Sequence, residues 1–180
     1  MNTEAVIIGT HARFFRDGAA FTVPAAGTAS RSAVPGDTDP AWIDLGVISE
    51  GGVERVGDEK EVWAPSPGRL QLYDVLTTKE ANNFSFKCEE LSLLALEALF
   101  GAAALTQAST DFDLLEAVPL KGWLELKYYN QKNELLLTVQ AFVHMKVNGE
   151  VSFGDDIARV SFQARTLQSS LNKGTLGAGT

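Results

Sequence analysis

"ELLLTVQAFVHMKV", residues 134–147, carries the pattern that decides the fold. Leu135, Leu137, Val139, Ala141, Val143, Met145 and Val147 are apolar without a break at every second position. The intervening set holds Glu134, Thr138, Gln140, His144 and Lys146, with Leu136 and Phe142 as exceptions. A period of two sustained this long reads as a β-strand with one buried face and one wetter face. The same grammar recurs on both sides. In "LKGWLELKYYN", residues 120–130, Leu120, Leu124, Leu126 and Tyr128 alternate with Lys121, Trp123, Glu125 and Lys127. In "DIARVSFQARTLQ", residues 156–168, Ala158, Val160, Phe162 and Ala164 alternate with Arg159, Ser161, Gln163 and Arg165. "NQKNE" and "NGEVSFGDD" between them are turn sequences, so three one-sided antiparallel neighbours make half of a sandwich or barrel.

Upstream, "WIDLGVIS", residues 42–49, predicts a strand that buries Ile43, Leu45 and Val47. "EGGVERVGDEKEVWAP" then predicts a hairpin with a charged tip, its turn signals at Gly51, Gly52 and Gly57 and its stop at Pro65 and Pro67. "LQLYDVLTT" and "NFSFK" predict two further strands flanking a turn at "KEANN". At "CEELSLLALEALFG" the period changes to helical. A helix is predicted over 89–100, with Glu89 and Glu90 at its positive end and Gly101 as its stop. Leu93, Leu96 and Phe100 widen its apolar stripe, so it is expected to pack on more than one side, across a face or an end of the sheet.

The ends are poorer in pattern. "EAVIIG" reads as a short strand, and the Gly, Ala, Ser, Thr and Pro of the next thirty or so residues read as an arm, flexible or ordered against a partner. Residues 102–118 predict no regular element, and "NKGTLGAGT" reads as a mobile tail. The expected organisation is a strand and arm over 1–41, a β-domain over 42–167 and a tail over 168–180.

A chain of 180 residues suits one domain with a real core. Its formal charge of −8 opposes polyphosphate and argues against tight nucleic-acid binding. Cys88 is the single cysteine, and His11 and His144 lie far apart, so neither an internal disulfide nor a metal cluster is expected. With no signal-peptide pattern and no span of membrane-crossing length, the chain is expected to be made and kept in a cytoplasm, or in something assembled there.

Chemistry is sought next. The strand neighbours of His144 are Phe142 and Lys146, which neither orient nor activate an imidazole. Arg13 and Arg16 near His11 make no triad, and Glu89 and Glu90 beside Cys88 work against a thiolate. The carboxylate clusters at 57–61, 111–113 and 154–156 fall at predicted turns and lack a calcium-loop pattern. No catalytic residue, metal or cofactor is expected, which points to a structural or binding protein.

The order of the pieces resembles the major tail tube proteins of long-tailed, siphovirus-type bacteriophages. The likeness covers roughly residues 40–167 and rests on "W..LG.I..G.VE", on Gly68 after the charged hairpin, and on the aromatic strand and helix closed by "LFG". It implies an antiparallel β-sandwich or barrel with one flanking helix and extended arms, six copies to a ring, and rings stacked into a hollow tube. The virion tail would be its location, after assembly in the bacterial host cytoplasm. Its partners would be further copies of itself and the tape measure, tail terminator and tail tip proteins, while DNA passes through the lumen without specific binding and no membrane anchor is used. Residues 49–67 match the family's inter-ring stacking loop by position, which nominates Glu50, Glu54, Arg55, Asp58, Glu59, Lys60 and Glu61. The polar faces of the last strands nominate Gln140, His144, Arg159, Gln163 and Arg165 for the lumen or a subunit face. Arg159 and Arg165 depart from a uniformly negative lumen. A tail terminator or completion protein, a tube protein of a contractile injection or secretion system, and an unrelated β-sandwich binding module stay open at this point.

Overall fold

A computed structural model describes residues 9–89, 92–100, 120–148 and 159–177. Residues 4–8 of the expected opening strand, the 102–118 segment, the carboxylate clusters at 111–113 and 154–156, most of the "NGEVSFGDD" turn, Glu90, Gly101 and the last three residues lie outside these. In chain order the elements are β1 (Gly9–Arg16), β2 (Ala20–Phe21), β3 (Gly27–Thr28), β4 (Ile43–Ser66), β5 (Arg69–Cys88), α1 (Leu93–Phe100), β6 (Leu120–Tyr129), β7 (Leu135–Val147), β8 (Val160–Thr166) and β9 (Lys173–Leu176).

The fold is mainly antiparallel β. The strands run in the order β6, β1, β4, β5, β8, β7, and β7 pairs back onto β6, so six strands close into a barrel. Closure leaves each of these strands two partners over the barrel, which removes the edge hazard of an open sheet. The alternating apolar sets point inward: Ala12 and Phe14 of β1, Phe84 and Phe86 of β5, Leu124 and Leu126 of β6, Val143 and Met145 of β7, and Phe162 and Ala164 of β8 share one buried cluster.

The expected inward face of "WIDLGVIS" holds only in part. Ala12 faces Gly46 and Arg13 faces Asp44, so Leu45 is the extra residue of a bulge. A bulge shifts the pleat by one. Leu45 and Ile48 therefore go inside, and Val47, expected inside, is 55% exposed.

The helix begins later than 89. Ser92 caps it, its Oγ accepting the Ala95 N–H at 3.2 Å. Glu89 precedes the helix and pairs with Arg159 at 3.1 Å, and the Ser49 hydroxyl together with Arg159 holds its carboxyl below the usual range. Leu94 and Ala95 enter the barrel core, and Glu97, nearly buried, takes both guanidinium nitrogens of Arg16 at the end of β1. Donating these hydrogen bonds to Glu97 raises the Arg16 pKa above its ordinary value, against the opposing effect of burial. The helix thus plugs the barrel end that lies away from the β4–β5 turn.

Part of the outer face of β1, β6 and β7, around Trp123, Glu125 and Phe142, is not open to water. Residues 17–42 fold over it as a cover, not as a free arm. Trp123, expected on the wet face of its strand, is fully buried with Phe15, Phe21, Ala29 and Phe142, and its Nε1 donates to the carbonyls of Ser30 and Ala33 at 2.9 and 3.0 Å. Beside it Glu125, 0% exposed, accepts from Arg13 Nε at 2.6 Å and from Gln140 Nε2 at 2.6 Å, with Lys127 Nζ at 3.3 Å. Asp37 of the cover bridges Arg13 and Lys127, and Arg13 also lies over the Trp42 ring, 4.8 Å from its centroid. Asp39 holds the cover's own turn by accepting from the N–H groups of Thr22, Val23 and Ala41. The cover is therefore fastened by Asp37, which bridges to Arg13 and Lys127, and by the Ser30 and Ala33 carbonyls that accept from Trp123.

The chain after β8 is ordered too. Leu167 N–H donates to Phe142 O, Phe142 N–H donates to Asn172 Oδ1, and Asn172 Nδ2 donates to Leu167 O, each at 2.8 Å. The Asn172 amide stands in for a missing rung, after which β9 resumes pairing with β7 from Gln140 to Leu137. Residues 173–176, expected in a mobile tail, are the continuation of β8 along the same edge.

Candidate functional site

Beyond the barrel, β4 and β5 continue as a two-stranded ribbon. β1 pairs β4 only as far as Ile48, and β8 pairs β5 only over Asn83–Cys88, while the β4–β5 ladder runs on to Ser66 and Arg69. From Glu54 to Ser66 the ribbon spans roughly 40 Å at about 3.3 Å per residue, with both outer edges unpaired among the described residues. Its turn is Pro67–Gly68. Proline fixes the first central position of a type II turn, and Gly68 supplies the required positive φ at 81°. The glycines read as turn signals, Gly51, Gly52 and Gly57, lie within β4, and "KEANN" lies within β5. A ribbon wet on both faces has no burial period to mark its length, so local turn formers misplace its tip.

The tip is also apolar where a charged one was expected. Trp63 faces Leu72, Pro65 faces Leu70, and Val75 faces Glu61, so one face of the ribbon end presents Trp63, Pro65, Leu70, Leu72 and Val75. Tyr73, the extra residue of a bulge opposite Val62 and Trp63, is 77% exposed, and Leu70 is 66% exposed. Trp63 Nε1 donates to Glu61 Oε2 at 3.0 Å, which fixes the indole on that face. The nominated Glu50, Glu54, Arg55, Asp58, Glu59, Lys60 and Glu61 all lie on the outgoing strand below this tip. Arg55 pairs with Glu80 at 2.7 Å, Asp58 with Lys79 at 2.8 Å and Glu50 with Lys87 at 3.0 Å. Such exposed pairs contribute little to stability. Sequence reasoning missed Trp63, Leu70, Leu72 and Tyr73 as site residues. The signal was there: four large apolar side chains in eleven residues around a Pro–Gly turn.

The second nominated group separates. His144, Gln163 and Arg165 come together on the outer faces of β7 and β8, joined by Lys146, which the nomination omitted. Gln140 is instead buried as a donor to Glu125, and Arg159 is taken by Glu89. Among the described residues no group of three or more His, Cys, Asp or Glu could hold a metal ion, and no helix is long and apolar enough to cross a membrane.

No family model and no curated protein sequence matches the chain. Among solved structures, it is similar to a chain of the sheath-tube complex of an extracellular contractile injection system, PVC, in its extended state. There the identity is 10%, the TM-score is 0.46, and the match covers 98% of this chain and 94% of that one. It is also similar to a double mutant of the Hcp1 protein from the E. coli EAEC 042 pathovar, at 14% identity and a TM-score of 0.38, covering 94% of this chain and 99% of that one.

Proposed function

We propose that this chain is a structural, non-enzymatic subunit that closes into hexameric rings, and that the rings stack into the hollow tail tube of a long-tailed phage, through which DNA leaves. The observation that carries this reading is the ribbon. A free monomer gains nothing from holding roughly 40 Å of two-stranded sheet in water with open edges and an apolar tip. A polymer uses both, because edges take neighbouring strands and the tip finds a surface to bury itself against. The sequence resemblance supplies the tube geometry, and the names of the two similar solved structures keep a contractile injection or secretion tube as the alternative machine.

Electron microscopy and light scattering on purified protein, raised stepwise in concentration, test it. Hollow tubes or six-fold rings are the expected result. A persistent monomer at every concentration, unchanged when the other tail proteins are supplied, would overturn it. A sheath bound around the tubes would move the assignment to the contractile class.

A further inference from the structure

On the outer faces of β7 and β8, His144 stands directly across from Arg165 and Lys146 directly across from Gln163. The four line a surface cavity of about 180 Å³, and no carboxylate is among its described lining residues. Among the described residues neither Lys146 nor Arg165 has an ion-pair partner, unlike Arg13, Lys87 or Arg159. In a chain of formal charge −8, an uncompensated basic cluster on one sheet face is an anion receptor. Its dimensions follow from the pleat. The donors lie about 5 Å apart across the strands and about 7 Å apart along them, so the cavity spans two carboxylates two residues apart on an extended chain.

The ribbon carries such a pair. Glu59 and Glu61 lie two apart on the same face of β4, across from Thr77 and Val75, and both are exposed. Among the described residues Glu59 has no ion pair or hydrogen bond, and Glu61 accepts only from Trp63 Nε1. Their own barrel cannot use them, because the ribbon carries them away from it. The overall negative charge disfavours a phosphate backbone as the occupant, since long-range repulsion opposes its approach. A second copy, also of formal charge −8, is repelled at long range too, but it brings the open ribbon edges and apolar tip that offset this, which a phosphate backbone does not.

We propose that the cavity formed by His144, Lys146, Gln163 and Arg165 receives Glu59 and Glu61 of a second copy of this chain. The inference rests on the assembly reading above, and the contact is heterologous, one copy giving the ribbon and the next giving the cavity, so it propagates.

The test uses two charge-reversed full-length chains, Lys146→Glu with Arg165→Glu, and Glu59→Lys with Glu61→Lys. Each is examined alone and in equimolar mixture by sedimentation velocity at low salt. Each alone is expected to associate at least about tenfold more weakly than the wild type, and the mixture to regain wild-type association, because every unlike junction again joins opposite charges. Thermal unfolding of each monomer checks folding; where a reversal unfolds the chain, Lys146→Gln with Arg165→Gln replaces it, with the same weakening expected. Wild type that stays monomeric throughout, also with the other tail proteins supplied, refutes the assembly reading itself. Wild type that assembles while either double variant assembles equally well, or a mixture that fails to recover, refutes only this contact. Binding of a single-stranded oligonucleotide to the wild type that Lys146→Glu with Arg165→Glu abolishes would assign the cavity to phosphate and overturn the proposed occupant.

Discussion

Replacing Glu125 by alanine is expected to cost about 3 kcal/mol and to loosen the junction of β1, β6 and β7 beneath residues 17–42. The side chain is 0% exposed and is the shared acceptor for Arg13 and Gln140, each at 2.6 Å, with Lys127 at 3.3 Å. Hydrogen bonds to a charged group contribute about 1.5–3 kcal/mol each, and two such bonds give a gross loss of roughly 3–6 kcal/mol. Arg13 and Lys127 keep Asp37, but that carboxylate is 59% exposed and screened, so it recovers only part of the loss and holds the figure near the lower bound. Glu125→Gln, which keeps the volume and removes the charge, is expected to lose about half as much. Urea unfolding reads the difference. With a slope of about 2–3 kcal/mol per molar for a chain of this size, the alanine variant's midpoint falls by roughly 1–1.5 M. Hydrogen exchange at the amides of β1, β6 and β7 around Glu125 should accelerate ahead of those of β5 and β8, since the cluster joins the first three strands. A midpoint within about 0.2 M of the wild type would refute the view that this cluster ties β1, β6 and β7 together.

Three further outcomes follow from single features. The hydrogen bonds from Ala41, Thr22 and Val23 outweigh burial, which acts the other way, and hold the Asp39 carboxyl below its ordinary value. Its contribution is therefore present above the unfolded aspartate range and lost as pH falls through the lower folded value, so Asp39→Asn should flatten the acid side of the stability profile, measured by near-ultraviolet circular dichroism. Trp63→Ser with Leu72→Ser should leave monomer unfolding within about 0.5 kcal/mol, both side chains being exposed, while raising the concentration for assembly by about tenfold or more in light scattering. At Gly122 an added Cβ would strike the Phe15 carbonyl, part of the β1 backbone, so Gly122→Ala should destabilise by about 2 kcal/mol or more in the same urea titration.

The three strands around residues 134–147 were legible because each turns one whole face to a barrel interior, and a period of two survives in the sequence wherever burial is one-sided. What remote segments do was not legible. Trp123 and Glu125 alternate with the core set as wet-face residues should, yet the cover buries them, and nothing near them in the chain announces it. Val47 was misplaced by a bulge at Leu45 that only the pairing with β1 reveals. At the candidate site, His144, Gln163 and Arg165 could be named one by one as polar-face residues. Their meeting with Lys146 depends on the register between β7 and β8, which a sequence does not print. The ribbon was seen as a hairpin but cut short, since a doubly wet strand leaves glycine as its loudest local signal.

The stoppered barrel has a consequence for scale. Six strands close tightly, and Phe14, Leu124, Val143 and Phe162 fill what they enclose, with α1 seated across one end. Nothing threads such a subunit. In the tube proposed above, the bore would therefore be the gap the copies leave among themselves, its width a count of subunits. A lineage could widen or narrow the passage by changing that count at the contact surfaces, without altering one residue of the core.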